Sequence, residues 1–283
     1  MISVVTKLIW LPAAILFVSV PGMADDKAPP PRTPCPYQTA HDDSLEADES
    51  LVSEAEDHTQ FRVEFNGIKG DRVPAFLYLP KGDPSKRPAV LLQYGSGGDK
   101  KVNYIVDLGR QFVAHGFVVL TIDSPGRGER KSEKGPKGSL ADWLLGNEGR
   151  ELFLQYCGDY SRAVDYLVSR SEVDTDRICY VGISWGAITG VPFVAHDPRI
   201  KAMGSMVGGG NFLNLAGAVA DKPNDEKKDK PVPIDPVRHV GQIAPRPLLL
   251  LNVTKDQLVA RPFAEALHNA AGDGAKKVWL ETD

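Results

Sequence analysis

From Thr59 onward, short apolar runs alternate with segments whose apolar residues recur every three or four positions, and glycine or proline marks the joins. "FRVEFNG" and "VPAFLYLP" alternate apolar and polar residues around "IKGDR", which predicts an antiparallel hairpin. "AVLLQYG", Ala89 to Gly95, is a continuous apolar run closed by glycine, as in a strand buried on both faces. "VNYIVDLGRQFVAHG" has helical spacing and stops at Gly116; "FVVLTID" is a further buried strand. The alternation continues with "LFLQYCGDYSRAVDYLVSR" as helix, "ICYVGIS" as strand, "WGAITGVPFVAHD" as helix and "IKAMGSMVGG" as strand. "PLLLLNV", "FAEALHNAAG" and "KVWLE" then read as strand, helix and last strand, with Val278 and Leu280 facing one way and Trp279 the other. Strands alternating with helices predict an α/β fold with a mainly parallel sheet and helices on both faces.

Two stretches break the rhythm, around Lys131 to Gly146 and Asn211 to Asp235. Both are expected over the C-terminal edge of the sheet, where open α/β folds bind ligands. The domain is expected to span residues 59–283. Ahead of it, residues 25–58 are Pro-rich and then acidic, with no Lys or Arg from Thr33 to Phe61, and predict a flexible or surface-draped lead-in. Residues 1–24 combine Lys7, an apolar run from Leu8 to Val20 and the small residues Gly22 and Ala24. That run is about 13 residues, short of the roughly 20 that span a bilayer. The pattern predicts a cleaved signal peptide, a mature start at Asp25, a secreted or periplasmic location and no stable membrane span afterwards.

A net charge of -4 without a basic stripe offers nothing for nucleic acid, and the lysines of "DEKKDK" are interleaved with acids. Three cysteines, Cys35, Cys157 and Cys179, leave the pairing open in an oxidising compartment. No CxxC or Cys/His cluster exists in the sequence, so no metal site is expected.

The chemistry concentrates in "YVGISWGA", where Gly182, Ser184 and Gly186 form G-x-S-x-G between an apolar strand and a helix. Such a turn strains the backbone at the serine and demands small residues two positions to either side. Ser184 is therefore the candidate nucleophile. "LLQYGSGGDK" also ends a strand and precedes a helix. There the backbone N–H of Ser96, with Gly97 as next candidate, is expected to pair with that of Trp185 as an oxyanion hole. In "LLLLNVTKDQLV", Asp256 stands in the turn after a strand, where a carboxylate can orient a histidine. An N-cap for the following helix is the structural alternative at that position.

From about Phe61 the chain resembles α/β-hydrolases, and among them dienelactone hydrolase-like and acetyl xylan esterase-like esterases. "LLQYGSGGDK", "LTIDSPGRGER", "RICYVGISWGA", "AHDPRIKA" and "DPVRHVGQIAPRPLLLLNVTKDQLV" carry the resemblance. It implies hydrolysis of small-molecule or carbohydrate-linked carboxylic esters through an acyl-enzyme, with no metal or organic cofactor. Peptidases of this fold usually add a propeller domain, which this length excludes. Tyr94 stands where many relatives carry histidine, and Asp123 with "GRGER" is expected to shape a loop rather than to catalyse. A non-catalytic binding protein on the same scaffold is the reading from another class.

The order of this fold places a histidine after the acid, beyond the last strand. Of the six histidines, only His268 follows Asp256, and it falls inside a helical pattern. His239 precedes the acid strand in an irregular segment from which it could approach the site. The expectation is a sequence that stops at "KKVWLETD" within a few residues of its general base, and hence an impaired hydrolase.

Overall fold

The computed structural model describes residues 35–37, 43–82, 85–131, 147–212 and 234–281. The expected signal segment and most of both interrupting stretches lie outside the described residues. The hairpin appears as β2 (His58–Asn66) and β3 (Arg72–Pro80), in register from His58↔Pro80 to Asn66↔Arg72. The apolar runs form β4 (Arg87–Gln93), β5 (Val118–Ile122), β6 (Val173–Ile183), β7 (Ile200–Met206), β8 (Leu248–Val253) and β9 (Lys276–Leu280). The segments of helical period form α1 (Asn103–Ala114), α2 (Asn147–Ser169), α3 (Trp185–His196) and α4 (Arg261–Ala270).

Among the described residues the sheet has nine strands; with β1 (Asp48–Glu54) at one edge, the order is β1-β2-β3-β5-β4-β6-β7-β8-β9. From β5 to β9 every neighbouring pair is parallel, while β3 meets β5 antiparallel. The crossover that exchanges β4 and β5 is made by α1, whose Ile105, Leu108, Phe112 and Val113 pack on Phe76, Leu92, Val119 and Val181. Helices α2, α3 and α4 cover the opposite face, where Phe153, Tyr160, Val191 and Leu267 pack with Leu91, Leu120, Tyr180 and Leu250. Both faces are thus covered, as runs such as "AVLLQ" require. Among the described residues no helix is long and apolar enough to cross a membrane.

One expectation needs correction. The acidic segment was expected to be a flexible or surface-draped lead-in, yet over Asp48–Glu54 it is regular structure: β1, an edge strand antiparallel to β2. All seven of its residues are exposed, which is why composition hid it. Its attachment is polar: ladder bonds to β2, and ion pairs of Asp48 with Arg72, Glu49 with Arg170 and Glu54 with Lys81.

The loop after β5 is held by charge. Lys100 and Asp123 are fully buried, and the Lys100 ammonium donates to both Asp123 and Glu129. Asp123 also accepts from the backbone N–H groups of Lys100 and Glu129. Arg130 ties the same loop to the buried Asp159 of α2 at 2.7 Å. Burial raises the Glu129 carboxyl, but hydrogen bonds from Arg62 and Lys100 outweigh it and hold the pKa down at about 2, against an ordinary 4.5. The folded value lies below the unfolded one, so this stabilisation is fully present above about pH 4.5 and lost as pH falls through about 2. Glu129→Gln is expected to flatten the acid limb of the stability curve in that window, read by urea midpoints. An unchanged acid limb counts against the pairing.

Candidate active site

Ser184 sits where β6 gives way to α3, as its N-cap, with φ 51° and ψ -108°. This is a left-handed conformation that an L-residue adopts only under restraint from its surroundings. The restraints are identifiable. The Ser184 N–H donates to the Met206 carbonyl at 2.8 Å, the Gly186 N–H to the Tyr94 carbonyl at 3.0 Å, and the Tyr180 hydroxyl to the Gly186 carbonyl at 2.6 Å. The flanking glycines are sterically required. A Cβ on Gly182 would stand 2.4 Å from the carbonyl carbon and oxygen of Gly186, and one on Gly186 would stand 2.8 Å from the carbonyl oxygens of Gln93 and Tyr94.

The hydrogen bond from Gly186 to Tyr94 joins the turn after β6 to the loop after β4, so the two expected oxyanion donors, Ser96 and Trp185, stand on adjoining loops. Ser96 is exposed and Trp185 half-buried. The Gly95 N–H is taken by the Tyr104 hydroxyl at 2.9 Å, which moves the candidate donor along the loop to Ser96. The Trp185 ring is wedged edge-on between Phe153 and Tyr156 of α2, and the Tyr156 hydroxyl reaches the Pro125 carbonyl. Tyr94 stays under the loop, where its hydroxyl accepts from the Ser124 N–H.

Asp256 lies in the turn after β8, as expected. Its Oδ1 accepts from the N–H groups of Leu258 and Val259, at 2.8 and 3.0 Å. That is cap-like geometry for a turn, and it fixes the carboxylate in place while occupying only one oxygen.

Two of the histidines, His196 and His239, are placed away from this edge. His196 ends α3, whose first residue follows Ser184; at about 1.5 Å rise per residue the two are about 18 Å apart. His239 is buried and hydrogen-bonded to His196 at 3.0 Å, so it too belongs to the far end. Burial, with His239 and Arg246 alongside, lowers the His196 pKa to about 4 and keeps the ring neutral. His268 is buried in α4, bonded to Asn252 at 2.9 Å and packed on Trp279. His58 pairs with Asp57 beside Tyr78, and His115 closes α1. Among the described residues no histidine is hydrogen-bonded to Ser184.

Beside the loop after β5 a polar cleft of about 630 Å³ opens, lined among others by Arg62, Arg72, Arg130 and Gln155. Its arginines are already engaged, Arg62 by Glu64 and Glu129, Arg72 by Asp48, and Arg130 by Asp159 and Asp71. No group of His, Cys, Asp and Glu among the described residues is arranged to hold a metal ion.

Comparison with known proteins agrees with this architecture. The acetyl xylan esterase from Paenibacillus sp. R4 superposes with a TM-score of 0.67 at 20% identity, covering 85% of this chain and 83% of its own. Acetyl xylan esterase 1 from Thermoanaerobacterium sp. JW/SL YS485 gives a TM-score of 0.65 at 20% identity, over 84% and 82% of the two chains. These likenesses show the α/β-hydrolase fold. YtaP of Bacillus subtilis (strain 168) is 30% identical over 142 residues, 46% of this chain, and the match spans only 46% of YtaP. The esterase YjfP of Escherichia coli (strain K12) is 26% identical over 175 residues, 58% of this chain and 68% of YjfP. The family model of acetyl xylan esterase (AXE1) matches residues 39–212, more than half of the chain, from β1 through the Ser184 turn. The chain belongs to the acetyl xylan esterase (AXE1) family.

Proposed function

We propose that the chain is a serine carboxylic-ester hydrolase acting on small or carbohydrate-linked esters. The observation that carries the reading is the strained backbone of Ser184, maintained by two glycines that admit no side chain. In the first step Ser184 Oγ bonds to the ester carbonyl carbon, the C–O bond to the alcohol breaks, and the serine proton leaves with the alcohol. In the second, water takes the place of the alcohol and releases the acid. The N–H groups of Ser96 and Trp185 hold the oxyanion, and the second oxygen of Asp256 is left to orient a base.

Among the described residues no histidine is hydrogen-bonded to Ser184 or Asp256, and the base is the part of the triad left unassigned. The 283-residue chain is therefore expected to turn over p-nitrophenyl acetate slowly, with a deficit that can reach about 10⁶-fold against an intact triad. Imidazole added to the buffer is expected to raise the rate in a saturable way, over a Ser184→Ala blank measured in the same buffer. Full activity without imidazole, lost on His239→Ala or His268→Ala, would show a base recruited from inside the fold.

The same placement of histidines favours one rival, a binding protein that keeps the hydrolase scaffold. A fluorophosphonate probe separates the two. Labelling that Ser184→Ala abolishes supports the enzyme, and a folded chain that resists labelling even with imidazole supports the binder.

A further inference from the structure

We propose that the phenolic hydroxyl of Tyr104 is a third, side-chain donor to the oxyanion formed at Ser184; the proposal rests on the esterase reading above. Tyr104 is the second residue of α1, immediately after the glycine loop. Its oxygen accepts the Gly95 N–H at 2.9 Å. That bond uses a lone pair and leaves the phenolic proton to find its own acceptor. Among the described residues none receives it, although the ring is half-buried.

The hydroxyl is close to the nucleophile. The point at which a Gly95 side chain would begin lies 3.2 Å from the Ser184 Cβ and 3.5 Å from the Tyr104 oxygen. The hydroxyl and the Ser184 Cβ therefore stand within roughly 7 Å of each other. A tetrahedral oxyanion forms about 3 Å beyond that Cβ, and a donor must come within about 3 Å of it. The loop also fits around this hydroxyl: a Cβ on Gly98 would stand 3.1 Å from it, and the Gly98 N–H closes the turn onto the Gly95 carbonyl. Burial raises the Tyr104 pKa above its ordinary value, more than the Gly95 hydrogen bond lowers it, so the group stays a donor at neutral pH.

A purely structural Tyr104 would only pin the loop, and the test must separate pinning from donation. A trifluoromethyl ketone adds Ser184 Oγ to its carbonyl carbon, the carbonyl electron pair moves to oxygen, and the serine proton passes to solvent. Its adduct is read by ¹⁹F NMR, without turnover. The methyl ketone of the same shape binds without forming that anion. Tyr104→Phe is expected to weaken the adduct of the 283-residue chain by about 10- to 100-fold. Methyl ketone affinity should change little, while the melting temperature falls in both liganded and free protein because the buried Gly95 N–H loses its acceptor. Equal weakening of both ketones, or of neither, overturns the donor role. With imidazole present, an adduct that does not form in the parent chain, or one that persists in Ser184→Ala, defeats the esterase reading itself, and Tyr104's role with it.

Discussion

Ser184→Gly is expected to give a protein that has lost its Ser184-dependent hydrolysis and is more stable than its parent. The φ of 51° and ψ of -108° cost an L-residue on the order of 1–3 kcal/mol, and glycine escapes most of that. Against this, glycine adds freedom to the unfolded chain, a penalty of about 0.5–1 kcal/mol. The net expectation is a gain of about 1 kcal/mol in urea unfolding. Ser184→Ala separates the two effects, since it removes the hydroxyl and retains the strain. It should match the parent in stability while losing fluorophosphonate labelling. A glycine variant no more stable than the alanine variant would mean that the turn is not strained.

Gly182→Ala has the opposite character. The added methyl would meet the Gly186 carbonyl group at 2.4 Å and the Ala187 nitrogen at 2.6 Å, all backbone atoms at the start of α3. Ordinary contact begins near 3.4 Å, so the helix start must retreat by about 1 Å. The expected cost is about 3 kcal/mol or more, because the hydrogen bonds from Gly186 to Tyr94 and from Tyr180 to Gly186 are disturbed together. Displacement on that scale also costs about 100-fold in rate where any Ser184-dependent rate is measurable. Gly274→Ala is the control, since nothing lies within 4 Å of its would-be Cβ. Similar losses in both variants would place the effect in glycine content and not in the turn.

The elbow was legible in the sequence because its requirement is local: two glycines at fixed spacing, one strand before and one helix after. The buried strands were legible for a related reason, since runs such as "AVLLQ" and "LLLLNV" have few other uses. Three features were not. β1 carries no buried residue, so neither apolar content nor composition announced it, and only pairing with β2 defines it. Tyr104 fell inside a segment legible only as helix; its bond to Gly95 depends on the fold of a glycine loop whose conformation the sequence leaves open. Chain order left only His268 after the acid, with His239 as an outside candidate, and could locate neither. His239 stood in an irregular segment, and its bond to His196, at the far end of α3, is a tertiary fact.

The make-up of β1 determines which part of the molecule opens first. A strand that buries nothing adds almost no hydrophobic free energy, and its hold on the domain rests on ladder bonds and ion pairs at the solvent boundary. Screening shortens to about 3 Å at molar salt, so those ion pairs weaken with ionic strength while the core beneath stays intact. The sheet thus has a breathing margin at one end, a cooperative unit far less stable than the rest, and its amides exchange with solvent long before the domain unfolds. The Ser184 turn lies on the other side of β3, β5 and β4, within the part of the sheet that such opening leaves closed.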